Sequence, residues 1–123
     1  MILPAVDLPA NFWFPLGYIR VVENDLVALE PWWIIDGKAM MDRWDGLKRR
    51  YPHRNVLPFA LRQDNDDIAC WDFNLGNEVV VIIHDYAQPG YEQRGEYPTF
   101  YDWFRSAIEE FIFFGEPLPT QSA

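Results

Sequence analysis

Two apolar runs joined by an acidic turn constrain the fold of this chain more than any other feature. The runs are residues 56–61 and 68–73, and the segment 64–67 between them reads Asp-Asn-Asp-Asp. Asp and Asn side chains hydrogen-bond the nearby backbone and tolerate unusual dihedral angles, so the pattern predicts a β-hairpin. Residues 78–85 are predicted to form the next strand. Its centre, 79–83, is apolar throughout, which indicates a strand covered on both faces.

A helix is predicted from about residue 38 to residue 50, with Asp36 as its N-cap. One face of this helix carries apolar side chains at helical spacing, namely Met40, Trp44, Leu47 and Tyr51. Gly46 lies in its interior, where glycine costs about 1 kcal/mol relative to alanine. The basic side chains near its C-terminal end are interpreted as charges that the helix dipole stabilises: Lys48, Arg49, Arg50 and Arg54.

The clearest helix signal closes the chain. Thr99, followed three residues later by Asp102, is typical of a capping box. An apolar stripe then runs from residue 100 to residue 112, and Gly115 and Pro117 are expected to end the helix.

The remaining segments give weaker patterns. Three prolines argue against a long helix in residues 1–16, and residues 18–23 and 26–35 are predicted to be two strands. Pro31 places the second of these at a sheet edge or a bulge. Residues 86–98 have no periodic pattern and are predicted to form a loop, a kind of segment that is often functional.

The adjacent Trp32 and Trp33 must point to opposite faces of a strand. At least one of them needs cover from outside the main core. The N-terminal aromatic residues 12–14 or a binding partner are the two candidates for that cover.

The combined pattern predicts one α+β domain spanning residues 1–123. Its expected core is a curved, mainly antiparallel sheet of about five to six strands, with helices packed against it and the C-terminal helix on the sheet.

Charge and composition limit the classes of function. The net charge is −9, and the two halves differ: residues 1–63 carry eight basic and seven acidic side chains, whereas residues 64–123 carry two and twelve. Such a surface disfavours nucleic acid and anionic membrane, and it favours basic partners. The single Cys70, the lack of a basic N-terminal leader and the lack of a membrane-length apolar run predict a cytoplasmic protein.

Few residues are suited to catalysis. Cys70 with His84 is the one thiol–imidazole combination, and Asp72 with Asp85 is the best pair of carboxylates for acid–base work. The acidic run resembles a calcium loop only in part, because Ala69 and Leu75 stand where glycine and glutamate are required. We therefore expect no cofactor and no metal, and no enzymatic activity.

Several blocks of the sequence resemble the SUKH superfamily, in particular the branch that contains the Smi/Knr type. The blocks are residues 29–35, 51–54, 58–71, 81–85 and 97–104, and the similarity covers about residues 26 to 114. The resemblance implies an α+β fold with helices on an antiparallel sheet, no general catalytic residue, and a role in protein binding. Many bacterial members are immunity proteins that neutralise polymorphic toxins, which are often basic. The family's usual N-terminal helix is not predicted in residues 1–16.

The favoured hypothesis is a cytoplasmic protein-binding module of the immunity type, monomeric or homodimeric, whose acidic and aromatic surface binds a basic toxin. The residues assigned to that surface are Asp64, Asp66, Asp67, Asp85, Tyr86, Tyr91, Glu92 and Glu96. Two alternatives stay open. One is an intracellular scaffold or regulatory homo-oligomer, and the other is a small-ligand or enzymatic domain that uses Cys70, His84, Asp72 and Asp85.

Overall fold

The computed structural model describes residues 7–114, which form three helices and one six-stranded sheet. The helices are α1 (Leu16–Glu23), α2 (Gly37–Arg50) and α3 (Phe100–Phe114). The strands are β1 (Ala28–Leu29), β2 (Trp32–Ile34), β3 (Val56–Arg62), β4 (Asp67–Asp72), β5 (Val80–His84) and β6 (Gln93–Tyr97). Every neighbouring pair is antiparallel and the strands follow chain order across the sheet. The predicted α+β class, with the C-terminal helix on the sheet, is confirmed.

Apolar side chains fill both faces of the sheet. On β5, Val80 and Ile82 belong to a large core cluster with α1 and α3, while Val81 and Ile83 belong to a smaller cluster with the α2 residue Leu47. Side chains alternate between faces along a strand, so this division confirms the prediction that β5 is covered on both sides.

The large cluster is built around aromatic rings. Trp71 packs against Phe59 at a centroid distance of 4.4 Å and against Tyr18 at 4.9 Å. Phe12 and Phe14 lie over the same indole, at 5.5 and 5.6 Å. The N-terminal aromatic residues therefore cover Trp71, and the prediction that they cover Trp32 or Trp33 is wrong.

The two tryptophans of β2 do point to opposite faces. Trp32 is buried and packs on Trp103 of α3 with ring centroids 5.5 Å apart. Trp33 is 44% exposed, and its indole N–H donates to Gln63 Oε1 at 2.9 Å.

The predicted strand over residues 18–23 is wrong, because this segment belongs to α1. Its Tyr18 and Val21, three positions apart, are both buried in the large cluster, and the Tyr18 hydroxyl donates to the Ile35 carbonyl at 2.8 Å. Burial of this face outweighs the strand preference of Ile19, Val21 and Val22.

Two further segments differ from expectation. The strand predicted over residues 26–35 is a short hairpin, β1 and β2, and Pro31 lies in its turn rather than in a strand. The loop predicted over residues 86–98 contains β6, which forms the edge of the sheet opposite β1.

The predicted starts of α2 and α3 are confirmed. Asp36 occupies the N-cap position of α2, although its side chain makes no capping hydrogen bond, and the Asp102 backbone N–H donates to Thr99 Oγ1 at 3.2 Å. The helix-ending signals Gly115 and Pro117 lie outside the described residues. Between residues 7 and 114, none of the helices combines the length and the apolarity that crossing a bilayer requires.

Candidate functional site

Most of the predicted surface residues meet at one end of the sheet. In an antiparallel meander the β3–β4 turn and the β5–β6 loop fall at the same end, and the Asp85 backbone N–H donates to the Asp66 carbonyl at 2.9 Å. Glu96 is the exception, because it lies well along β6, opposite Val81. The structure thus brings six of the eight predicted residues into two neighbouring loops, and a seventh, Asp67, is the first residue of β4 beside them.

Local hydrogen bonds organise the β3–β4 turn. Asp64 accepts two hydrogen bonds from the Arg62 guanidinium, at 2.8 and 2.9 Å, and this contact lowers the pKa of the Asp64 carboxyl. The Asp67 backbone N–H donates to Asn65 Oδ1 at 2.7 Å, as in an Asx turn. The predicted hairpin connection is confirmed.

Two contacts tie this turn to the rest of the protein. Asp67 Oδ1 lies 2.7 Å from His84 Nδ1 on the neighbouring strand β5. Arg62 also donates to Glu110 of α3, so one guanidinium joins the turn to the C-terminal helix.

Long-range ion pairs hold the β5–β6 loop. Asp85, at its start, is 1% exposed and accepts two hydrogen bonds from the Arg50 guanidinium, both at 2.6 Å. The Tyr86 backbone N–H donates to Asp85 Oδ1 at 2.9 Å, and the hydrogen bonds that Arg50 donates to Asp85 raise the pKa of Arg50. The carboxylate is therefore satisfied on both oxygens, which a buried charge requires.

The other end of this loop is fixed in the same way. Glu92 is buried and accepts hydrogen bonds from Arg54 at 3.0 Å and from the Gly90 backbone N–H at 2.6 Å. Burial acts to raise the pKa of Glu92, but the backbone and arginine hydrogen bonds outweigh it and lower that pKa. Midway along the loop, the Tyr51 hydroxyl of the chain after α2 donates to the Ala87 carbonyl at 2.7 Å.

Between these anchors the loop presents two aromatic rings to solvent. Tyr86 is 65% exposed and Tyr91 is 76% exposed. Tyr86 has a positive φ of 66°, which is unusual for a bulky residue, and the Arg50 guanidinium lies 4.3 Å from its ring centroid.

The arginines Arg50, Arg54 and Arg62 are the site residues that sequence reasoning missed. The first two were interpreted only as helix-end charges. They lie 35 and 38 positions from the carboxylates they bind, so no local spacing reveals the pairing. The charge asymmetry between the two halves of the chain was the one sequence feature that could have indicated these long-range ion pairs.

The residues considered for catalysis do not come together. Cys70 is fully buried opposite Val81, and burial raises the pKa of its thiol well above the ordinary value. Asp72 ends β4, whereas Asp85 follows β5 at the other end of the same strand pair, roughly 20 Å away because six residues at about 3.3 Å each separate them. These positions do not form the thiol–imidazole pair or the carboxylate pair that the sequence suggested.

Among residues 7–114, no three His, Cys, Asp or Glu side chains are grouped in a way that would hold a metal ion. Comparison of the chain with models of protein families, with curated proteins and with solved structures finds no match in any of the three.

Proposed function

We propose that this chain is a non-catalytic protein-binding module, and that the β5–β6 loop with the adjacent β3–β4 turn is its contact surface. The observation that carries the proposal is a pair of exposed tyrosines, Tyr86 and Tyr91, on a loop anchored at both ends by buried carboxylates. Exposed tyrosines are common energetic centres of protein interfaces.

The anchoring matters because a loop that is already ordered loses less conformational entropy on binding. Arg50 fixes the start of the loop through Asp85, and Arg54 fixes its end through Glu92. In this proposal those two carboxylates act by shaping the loop and do not contact the partner.

The partner's charge follows from the rest of the surface. Asp66 and Glu96 are exposed, and the chain as a whole has a net charge of −9. A basic partner would be attracted at long range, with the charges setting the association rate and the aromatic rings setting the dissociation rate.

The finer proposal, an immunity-type protein that neutralises a basic toxin in the cytoplasm, rests on the resemblance to the SUKH superfamily. The resemblance adds the class of partner to what charge and exposed aromatic residues suggest. It does not change which residues are proposed to bind.

The test captures the partner by pull-down from the native cell and measures its binding by surface plasmon resonance. Tyr91→Ala should raise the dissociation rate about tenfold or more, whereas Asp66→Lys should mainly lower the association rate and weaken its salt dependence. Tyr101→Ala is the matched control, because Tyr101 is also an exposed tyrosine but lies on α3.

Equal effects of Tyr91→Ala and Tyr101→Ala would contradict the proposed surface. A complex whose association rate does not depend on salt would contradict the proposed electrostatic attraction. A captured partner that is not a toxin would overturn the immunity-type proposal.

One observation supports a second candidate, a homo-oligomer. Trp33 exposes nearly half of a large indole on β2, next to the short edge strand β1. Light scattering of the parent and of Trp33→Ser separates the candidates: a dimer that this substitution dissociates would favour the homo-oligomer, and a monomer in both would exclude it.

A further inference from the structure

A basic cleft lies between α2 and the β5–β6 loop. It has a volume of about 380 Å³ and is bordered by Arg43, Arg49 and Arg50 on the helix and by Tyr86 on the loop. The volume lies within the range of small-ligand pockets, about 300–1,000 Å³. On a chain of net charge −9, a cleft that concentrates three guanidinium groups runs against the overall charge.

Gly46 forms part of this cleft, and a side chain at this position would crowd the Arg50 guanidinium. A Cβ atom built at Gly46 would lie 2.8 Å from Arg50 Nη2 and 3.2 Å from Nη1. The missing side chain therefore lets the Arg50 guanidinium fold back along α2 to reach Asp85. Glycine lowers the stability of the helix by about 1 kcal/mol relative to alanine, and it leaves space for the guanidinium in the cleft.

The three arginines differ in how closely their guanidinium groups are paired with carboxylates. Arg50 directs its guanidinium to Asp85 at 2.6 Å, whereas Arg43 approaches the same carboxylate only to 3.8 Å. Within residues 7–114, none of the ion pairs includes Arg49, which is exposed. The acidic residue that borders the cleft, Asp42, is bound by Lys38 at 2.7 Å.

The charge left at the cleft matches a phosphate monoester better than a carboxylate. Arg43 and Arg49 offer two positive charges and many N–H donors, and a phosphate monoester carries about −1.5 to −2 with three acceptor oxygens. A carboxylate carries only one charge and two oxygens. The exposed Tyr86 ring adds an apolar wall for an organic group attached to the phosphate.

We infer that this cleft binds the phosphate group of a small phosphorylated molecule, with Arg43 and Arg49 as phosphate ligands and Arg50 as the residue that holds Tyr86 and the loop in place. This inference does not depend on the proposed toxin partner. A protein that binds no toxin can still have this site, and a toxin-binding protein can lack it.

The test is isothermal titration calorimetry with adenosine monophosphate, inorganic phosphate, adenosine and glutamate as probes at millimolar concentrations. Adenosine monophosphate and phosphate should bind, and adenosine should not. Arg43→Gln and Arg49→Gln should each weaken binding of adenosine monophosphate about 10- to 100-fold, as expected for removal of a charged hydrogen-bond donor.

Arg94→Gln is the matched control, because it removes one exposed arginine from β6 and should leave the affinity unchanged. Folding of each variant is checked by circular dichroism and thermal melting. Failure of both phosphate compounds to bind the folded parent would overturn the inference. So would binding of glutamate in preference to phosphate, or an equal loss of affinity in Arg94→Gln.

Discussion

The two acidic loops at one end of the sheet carry similar residues but are built in different ways. The β3–β4 turn is shaped by neighbours in sequence, since Asp64 binds Arg62 two positions away and Asn65 binds the Asp67 backbone, and its distant contacts start from the flanking strand residues Arg62 and Asp67. The β5–β6 loop is held by α2 and the segment after it, through Asp85–Arg50 and Glu92–Arg54. Both segments are acidic, but their carboxylates do different things. In the turn Asp64 binds a neighbour in sequence, whereas in the β5–β6 loop buried carboxylates bind distant arginines.

The largest loss of stability is expected from Asp85→Asn in the β5–β6 loop. This substitution removes the buried carboxylate that accepts two hydrogen bonds from Arg50, whose own side chain is a quarter exposed, and we expect the free energy of unfolding to fall by about 2 kcal/mol. The matched change in the turn, Asp66→Asn, removes an exposed charge and should alter stability by less than about 0.5 kcal/mol. Urea unfolding followed by tryptophan fluorescence measures both, and similar losses would contradict the distinction.

The next largest effect is expected on the stability of the protein at acid pH, to which Glu92 contributes. Its pKa in the folded protein is lowered, so its contribution to stability is present above the unfolded-state pKa of about 4.3 and is lost as pH falls through the folded-state pKa. Glu92→Gln should cost about 1.5 kcal/mol at neutral pH, because it weakens the contact with Arg54 and the Gly90 backbone. It should also make stability less dependent on pH in the acid range.

Asp64→Asn is the comparison for that experiment. The pKa of Asp64 is lowered too, but its side chain is more than a third exposed, so solvent screens the pair and the change should be smaller. Unfolding curves between pH 3 and pH 7, measured for the parent and both variants, show which carboxylate contributes more to the pH dependence of stability. A larger acid sensitivity from Asp64 than from Glu92 would contradict the account.

A smaller change in the free energy of unfolding is expected from Gly46→Ala, and its sign should depend on whether Asp85 is present. In the parent, the added methyl group displaces the Arg50 guanidinium from Asp85, and the net loss should be about 1 kcal/mol despite better helix propensity. In the Asp85→Asn background the guanidinium has already lost its ionic partner, so the same substitution should stabilise by up to about 1 kcal/mol. An equal effect in both backgrounds would show that Gly46 does not serve the ion pair.

The smallest effect should come from Asn65→Ala in the turn. It removes the hydrogen bond to the Asp67 backbone, and we expect a loss of about 0.5 kcal/mol by thermal unfolding. Asn74→Ala is the matched comparison, because it also removes one exposed hydrogen bond, which the Asn55 side chain donates to Asn74 Oδ1 at 3.0 Å, and it should cost a similar amount. A loss comparable to that of Asp85→Asn would place the main anchor in the turn instead of the loop.

The parts of the fold that could be predicted have local signals. The α2 face with Met40 and Leu47, the Thr99 cap and the apolar β5 each depend on residues close together in sequence. The segment of α1 was misread because Ile19, Val21 and Val22 favour strands, and only the packing of Tyr18 and Val21 in the core makes the helix favourable.

The parts that could not be predicted depend on distant partners. β6 contains Arg94, Gly95 and Glu96, which give no strand pattern, and it forms because its backbone pairs with β5. The acidic and aromatic residues of the candidate surface were recognised by composition, but Arg50 and Arg54 were not. A contact between residues 35 or more positions apart leaves no periodic trace in one sequence.

The central claim is that an ion pair with a buried carboxylate, Arg50–Asp85, fixes the β5–β6 loop, whereas the carboxylate of the Arg62–Asp64 pair in the β3–β4 turn is exposed and contributes less. Two double-mutant cycles test it most directly, one with Arg50→Met and Asp85→Asn and the other with Arg62→Met and Asp64→Asn. We expect a coupling free energy of about 2 kcal/mol for the first pair and less than about 1 kcal/mol for the second. Equal couplings, or a larger value for Arg62–Asp64, would contradict the account.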